Sequence, residues 1–362
     1  MDALETLRVC LNANIPCILW GADGEGKTKA VGHEVAVVRG WHFFPALGNN
    51  MDPTDFGIPV VNGEEVKRVP LSLAIREAKR LGDAGEHVVI FLDEMNTSAP
   101  AVQATMLTLM SEWRAGDTQL SQEFVHFACA ANPPEIAVNA SDFQPPTCTR
   151  MVHIDWKLDF DVWKNGMLSG EWAPLAQAST VTAFLDRRRG AFRQDPSREF
   201  MNKPRATPRT WTNLACLLDS AVKSGARRDV VHMLACGTVG DGMGTEFMGF
   251  WEMRERIPTP EAVLATVDTY IFPERGDLCY LMFSSVGAHV TENPTLENWQ
   301  RVWRLIGRTK DTEHFDKAAL CAQVIARLLS QDSGKHLRKH LPKEVSAFAG
   351  MFRELGVLGG GK

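Results

Sequence analysis

The sequence predicts an α/β fold, in which a five-stranded parallel sheet is followed by an all-α region. Short apolar runs alternate with amphipathic helical patterns up to residue 157, which is typical of a parallel sheet covered by helices on both faces. After Trp156 the strand-like runs nearly disappear, whereas helical patterns continue. A chain of 362 residues is long enough for two or three such parts with a sizeable core.

The first part contains five strand-like runs and four helical patterns. The run Val88–Leu92 is continuously apolar, as expected of a strand that is buried on both faces. Pro100 lies in the first turn of the fourth helix, where its missing N–H is tolerated. The predicted strands are 16–20, 42–47, 87–92, 124–130 and 151–155, and the predicted helices are 3–13, 27–39, 71–81 and 100–113.

The second part is predicted to be helical throughout, with prolines between the helices. The polar, basic stretch Arg187–Lys203 is predicted to be a linker, and the glycine-rich run 237–249 a joint between two helices. The predicted helices are 174–187, 208–223, 228–236, 259–269, 276–290, 294–307, 313–330 and 343–354.

Composition excludes some classes of protein. The net charge of −5 argues against a global basic field for nucleic acid. The eight cysteines are scattered and form no C-x-x-C pair, so we expect reduced thiols and a cytoplasmic protein. No stretch approaches the roughly 18 consecutive apolar residues of a membrane span.

A glycine-rich loop joins the first predicted strand to the following helix. Backbone N–H groups of such a loop can surround a phosphate chain, and the helix N-terminus adds its positive end. Lys27 is expected to reach the β- and γ-phosphates of a nucleotide, and the Thr28 hydroxyl to serve Mg²⁺. The loop matches G-x-x-x-x-G-K-[ST] and reads Gly21-Ala22-Asp23-Gly24-Glu25-Gly26-Lys27-Thr28.

Polar side chains end two other predicted strands. Asp93 and Glu94 follow Val88–Leu92. Asp93 is expected to lie close to the metal ion, and Glu94 to act as a base that activates water. Asn132 follows the strand 124–130, and its amide could hold the attacking water. An asparagine before proline is also a common turn residue; beside Asp93 and Glu94, we favour the site.

The chain resembles the AAA+ ATPases, and within them the MoxR-like branch, over about residues 15–220. The matching segments are Gly21–Thr28 (Walker A), Val88–Glu94 (Walker B), Ala130–Pro133 (sensor 1), Thr149-Arg150, Thr207-Pro208-Arg209 (sensor 2) and Asp52–Gly57. The resemblance implies an AAA+ core over residues 1–157, a linker and helical lid over 158–255, and a C-terminal helical region over 256–362.

The resemblance also implies roles for arginines and for a further asparagine. The resemblance implies a homo-oligomeric ring, usually a hexamer, with ATP and Mg²⁺ at subunit interfaces. Arg150 would be the arginine finger that reaches a neighbour's γ-phosphate, with Arg114 as the alternative. Arg209 would contact the nucleotide in its own subunit. Asn49 would pair with Glu94 as a polar switch, although Asn49 is equally compatible with a simple turn.

Three functions agree with these residues. The first is a MoxR-like ATPase that remodels or loads a partner, such as a von Willebrand A-domain protein or another client. The second is a nucleotide-dependent switch or scaffold, in phage-related or defence biology, for which binding rather than turnover matters; intact Glu94 and Asn132 argue against it. The third is a DNA-acting AAA+ motor, against which the acidic net charge argues.

Overall fold

A computed structural model describes residues 3–136, 143, 145–195, 203–330 and 332–348. The chain forms two compact units, Met1–Leu158 and Asp159–Lys362. The further division of the second unit at residue 255 stays a prediction.

The described residues of the first unit contain nine strands, five of which form one parallel sheet. The sheet order is β2-β5-β8-β1-β9, and every neighbouring pair in it is parallel. The predicted α/β fold is therefore confirmed. The strands are β1 (Cys17–Trp20), β2 (His42–Leu47), β3 (Ile58–Asn62), β4 (Glu65–Val69), β5 (Val88–Asp93), β6 (Arg114–Ala115), β7 (Thr118–Gln119), β8 (Val125–Ala131) and β9 (Val152–Asp155).

Helices cover both faces of this sheet. The predicted helix 27–39 is present, but its second half, His33–Val38, is a π-helix. The helices of the first unit are α1 (Ala3–Ala13), α2 (Lys27–Gly32), α3 (Pro53–Phe56), α4 (Leu73–Asp83), α5 (Pro100–Glu112) and α6 (Pro145–Cys148).

The core explains why the central strands are apolar without interruption. Successive side chains of a strand point to opposite faces. Ile90 packs in the cluster that contains Met106 of α5, whereas the next residue, Phe91, packs in the cluster that contains Leu7 of α1 and Val31 of α2. Because both faces are covered, an alternating pattern would place polar groups in a core.

Two hairpins, β3–β4 and β6–β7, extend from the sheet unit. The backbone N–H of Asp117 donates to the Arg68 carbonyl at 2.8 Å, and the Asp117 carboxylate accepts from the Arg68 N–H at 2.7 Å. Gly116 has a φ of 58°, and a Cβ there would lie 2.5 Å from the Arg68 carbonyl oxygen. Glycine is therefore required where the two hairpins meet.

The second unit is helical, as predicted. In the described part of the chain, no helix combines the length and apolar character needed to cross a bilayer. The helices are α7 (Phe160–Leu168), α8 (Leu175–Arg187), α9 (Pro208–Lys223), α10 (Arg228–Val239), α11 (Asp241–Glu252), α12 (Pro260–Ala265), α13 (Gly276–Glu292), α14 (Leu296–Gly307) and α15 (Phe315–Ala326).

The predicted joint between two helices within 237–249 is present, because α10 ends at Val239 and α11 begins at Asp241. Most of this run forms α11, and the turn is confined to Gly240, which has a φ of 94°. A Cβ on Gly244 would lie 2.6 Å from the Cα of Cys236. Gly240 therefore makes the turn, and Gly244 allows close packing of α11 against α10.

Three further differences concern α7, the last predicted helix and the predicted linker. The sequence did not predict α7, whose N-cap Asp159 accepts hydrogen bonds from the N–H groups of Asp161 and Val162. Of the predicted helix 343–354, Lys343–Phe348 is a 3-10 helix, and the remainder lies outside the described residues. The predicted linker begins with the last residue of α8, and its residues 196–202 lie outside the described residues.

Candidate functional site

The glycine loop lies between β1 and α2, as the sequence predicts. Gly24 and Gly26 have φ values of 80° and 71°, in the left-handed region that favours glycine. A Cβ on Gly21 would lie 2.4 Å from the carbonyl oxygen of Trp156. The three glycines therefore allow the loop to turn back over the end of the sheet.

The middle of the loop is fastened to the end of β9. Glu25 is buried, and its carboxylate accepts from the Leu158 N–H at 2.9 Å. The indole N–H of Trp156 donates to the Glu25 carbonyl at 3.0 Å. The side chain of Glu25 is thus a structural anchor, whereas Asp23 is exposed at the loop surface.

Lys27 connects the loop to the strand β8. Its ammonium group donates to the carbonyls of Gly21 at 2.5 Å and Ala22 at 3.1 Å. It also donates to the side-chain oxygen of Asn132 at 2.9 Å. The positively charged ammonium group of Lys27 is therefore held at the loop, at the place where a phosphate chain would lie.

Thr28 and Asp93 meet beside Lys27. The Thr28 hydroxyl donates to the Asp93 carboxylate at 2.5 Å. Both groups offer hard oxygen atoms, which Mg²⁺ prefers. The donor set that the structure brings together therefore fits a magnesium ion bound with phosphate.

Glu94 has an unusual backbone conformation. Its φ of 55° and ψ of 37° are left-handed, which costs on the order of 1 kcal/mol for a residue with a Cβ. The Glu94 N–H donates to the Asp93 carboxylate at 3.0 Å, and Asn49 donates its side-chain amide to the Glu94 carboxylate at 2.5 Å. The predicted contact between Asn49 and Glu94 is thus confirmed, and Asn49 also lies in a 3-10 turn, Gly48–Asn50.

Sheet topology brings these residues together. β8 lies between β5 and β1 in the sheet. Trp20, which precedes the loop, is opposite Ala131, which precedes Asn132. Because parallel strands place their carboxyl ends at one edge, the loop, Asp93 and Asn132 meet there.

Asn96 continues the Walker B segment, but the sequence assigned it no role. It lies in the 3-10 turn Met95–Thr97 and is fully buried. Its side-chain amide donates to the backbone carbonyl of Asn132 at 2.7 Å. Its position two residues after Glu94 was the available signal, but no local pattern indicates a partner 36 residues away.

The three predicted arginines are exposed. The Arg150 guanidinium donates to the Pro146 carbonyl at 2.8 Å, and Arg114 lies 3.9 Å from the Glu112 carboxylate. Arg209 is the second residue of α9, after the N-cap Thr207. Neither of these two contacts involves the glycine loop, and the roles of Arg150 and Arg114 between subunits stay predictions.

Comparisons with known proteins give low similarity. No family model and no curated protein sequence matches the chain. A point mutant of Thermotoga maritima RuvB is 14% identical with a TM-score of 0.39, over 79% of this chain and 82% of that chain. The Thermotoga maritima RuvB Holliday junction branch migration motor is 14% identical with a TM-score of 0.36, over 80% of this chain and 83% of that chain.

A third solved structure, C. elegans PCH-2, is 13% identical with a TM-score of 0.31, over 70% of this chain and 66% of that chain. With identities this low and TM-scores below 0.5, none of these likenesses identifies an activity of the chain.

Proposed function

We propose that this protein is an AAA+ ATPase of the MoxR-like type, which binds ATP with Mg²⁺ and hydrolyses it. The observation that carries the proposal is the meeting of Lys27, Thr28, Asp93, Glu94 and Asn132 at one edge of the parallel sheet, connected by hydrogen bonds from Lys27 to Asn132 and from Thr28 to Asp93. Each of these residue types suits one part of phosphoryl transfer to water.

The loop and Lys27 bind the phosphate chain. Backbone N–H groups from Gly21 to Thr28 surround the phosphates, and Lys27 exchanges its carbonyl and Asn132 partners for phosphate oxygens. Thr28 and Asp93 would hold Mg²⁺. When bound, the ion neutralises part of the phosphate charge.

Glu94 and Asn132 act on the attacking water. Glu94 accepts a proton from the water as its oxygen bonds to the γ-phosphorus, and the bond from that phosphorus to the β–γ bridging oxygen breaks. Asn132 orients the water or the γ-phosphate through its side-chain amide. ADP and inorganic phosphate are the products.

The proposed assembly is a homo-oligomeric ring, of which a hexamer is the expected form. Arg150 acts on the nucleotide of a neighbouring subunit, with Arg114 as the alternative, while Arg209 contacts the nucleotide of its own subunit. Hydrolysis then moves subunits relative to one another to remodel or load a client protein, such as a von Willebrand A-domain partner.

Paired binding and turnover measurements test this function. Lys27→Ala is expected to abolish ATP binding, because the phosphates lose their main side-chain charge. Lys29→Ala is a matched control, since Lys29 is an exposed lysine of the same helix. Glu94→Gln is expected to retain binding and stop hydrolysis. Equal turnover in Glu94→Gln and the wild type would remove Glu94 from the mechanism.

Sedimentation with and without ATP tests the ring. Nucleotide at a subunit interface adds contacts between subunits, so binding and assembly are linked. Wild-type protein at micromolar concentration is expected to assemble when ATP saturates it, and Lys27→Ala is expected to stay monomeric. A wild-type monomer under these conditions would contradict the ring. ATP that is retained without repeated turnover would instead favour a nucleotide-dependent switch.

A further inference from the structure

Asn96 connects the turn that carries Glu94 to the end of β8. The residue is fully buried, and its side-chain amide donates to the Asn132 carbonyl at 2.7 Å. A buried amide that donates to a backbone carbonyl restricts both segments, because loss of the bond leaves a polar group without solvent.

Other side chains support the same turn locally. The Thr97 hydroxyl donates to the Glu94 carbonyl at 2.9 Å, and the Gln103 amide donates to the Ser98 carbonyl at 3.0 Å. These contacts stay within the turn and the start of α5. The Asn96 contact crosses to a different strand, so it relates the position of Glu94 to that of Asn132.

The end of β8 needs such a partner. β8 ends at Ala131, and Asn132 is followed by two prolines, which have no backbone N–H to continue a strand ladder. The side chain of Asn132 is meanwhile engaged with Lys27 at 2.9 Å. The backbone of Asn132 is therefore held from one side and its side chain from the other.

We propose that Asn96 is a positioning residue of this site, which holds the backbone of Asn132 while its side chain changes partners. This inference rests on the proposed ATPase function. When phosphate takes Lys27, the Asn132 amide is released from the lysine. Because Asn96 holds the backbone of Asn132, the Asn132 amide rotates only about its side-chain bonds. It therefore stays within reach of the water that Glu94 activates.

A double-mutant cycle with Asn132 tests this dependence. Asn96→Ala is expected to lower kcat about 5- to 10-fold, the effect of one hydrogen bond in a buried site, with the nucleotide Kd changed less than twofold. In an Asn132→Ala background, Asn96→Ala is expected to have no further effect on kcat, because the residue acts through Asn132. An equal reduction of kcat by Asn96→Ala in the wild-type and Asn132→Ala backgrounds would overturn the proposal.

Gln103→Ala is the matched control. It also removes a buried amide that donates to a backbone carbonyl of the same turn. It is expected to lower the melting temperature, and any effect on kcat should be the same with and without Asn132. If Gln103→Ala lowered kcat in the wild-type background but not in the Asn132→Ala background, general loosening of the turn would explain both results.

Asn96→Asp adds a readout that a merely structural role would not move. A protonated carboxyl group can donate to the Asn132 carbonyl, whereas a carboxylate cannot. Activity of Asn96→Asp, relative to the wild type at each pH, is therefore expected to rise as pH falls. A constant ratio across pH would contradict the proposed donation.

Hydrogen exchange separates this inference from the proposed function. Faster amide exchange of residues 130–136 in Asn96→Ala than in the wild type is expected without nucleotide, whether or not the protein hydrolyses ATP. Absence of ATP turnover in the wild type would refute the ATPase function alone. Unchanged exchange at 130–136 would refute the hold of Asn96 on Asn132.

Discussion

The side chains of Asn49 and Glu94 are joined by a hydrogen bond of 2.5 Å, although the residues are 45 positions apart. Gly48 makes this contact possible, because a Cβ there would lie 2.3 Å from the Ser98 hydroxyl and 3.1 Å from the Asp93 carbonyl oxygen. The turn after β2 thus lies directly against the turn after β5. An amide donor at this place restrains the carboxylate that we propose as the base.

Asn49→Asp is expected to move the acidic limb of the kcat profile to higher pH by about one unit or more. Two carboxylates at hydrogen-bonding distance cannot both ionise freely, so the pair retains a proton that the base must lose. Steady-state turnover between pH 5 and 9 measures the shift. Asn50→Asp is the control, because it adds the same charge at the next, exposed position; an equal shift in both variants would exclude a specific contact.

Arg150→Ala is expected to bind ATP almost normally and to hydrolyse it poorly. Mixing it with Glu94→Gln should restore activity, because a site with intact Glu94 then receives an intact arginine from its neighbour. A finger contributes about 10³-fold or more to the rate, so few repaired sites suffice. Absence of rescue, with mixed rings demonstrated, would transfer the role to Arg114 or exclude an arginine acting between subunits.

His126 is expected to make the first unit less stable in acid. Burial, followed by the nearby charges of His87 and Arg39, lowers the pKa of His126 to about 4. The unfolded chain therefore binds a proton that the folded chain rejects. The free energy of unfolding is unaffected by protonation of His126 above about pH 6.5, and it falls by up to about 3 kcal/mol as pH decreases towards 4.

Urea unfolding at pH 7.5 and 4.5 measures the effect of His126. His126→Phe retains a ring against Trp41, which stacks on His126 with centroids 4.6 Å apart, but it cannot titrate. The free energy of unfolding of His126→Phe should therefore change less between the two pH values than that of the wild type. Equal changes would show that His126 does not cause the acid sensitivity.

Asp277→Asn is expected to lower the free energy of unfolding of the second unit by about 2 kcal/mol, the scale of hydrogen bonds to a charged group. The buried Asp277 carboxylate accepts from Arg275 at 2.7 Å and Arg187 at 2.5 Å. Arg275, together with Arg187, lowers the pKa of Asp277 to about 2. Its contribution is present above about pH 3.8 and is lost as pH falls through about 2.

Glu246→Gln is the control for Asp277→Asn. Glu246 pairs with Arg188 at 2.7 Å, but both side chains are exposed, and exposed pairs contribute about 0–1 kcal/mol. Denaturant unfolding at pH 7 compares the two variants. Equal destabilisation would show that burial of Asp277 adds nothing to the pair.

Local patterns alone determined the order and type of most elements. The strand 42–47 and the helix 3–13 have the predicted bounds, because side-chain periodicity reports directly which faces are buried. The loop Gly21–Thr28 was also predictable, since left-handed glycines and a lysine at a helix start are local requirements. The glycine-rich run 237–249 was correctly predicted to contain a joint between two helices, but only the packing of α10 on α11 shows that Gly240 makes the turn and Gly244 the close approach.

Local patterns do not reveal the strand order, the π-helix His33–Val38 or the contacts of Asn96, and they left the contact of Asn49 open. Pairing of Asn49 with Glu94, and of Asn96 with the Asn132 backbone, depends on which carboxyl ends lie side by side in the order β2-β5-β8-β1-β9. Hydrogen bonds act over about 3 Å, a distance that spacing along the chain does not encode. Local patterns therefore predict which groups lie at the edge of the sheet, whereas the packing of the strands establishes which of them are in contact.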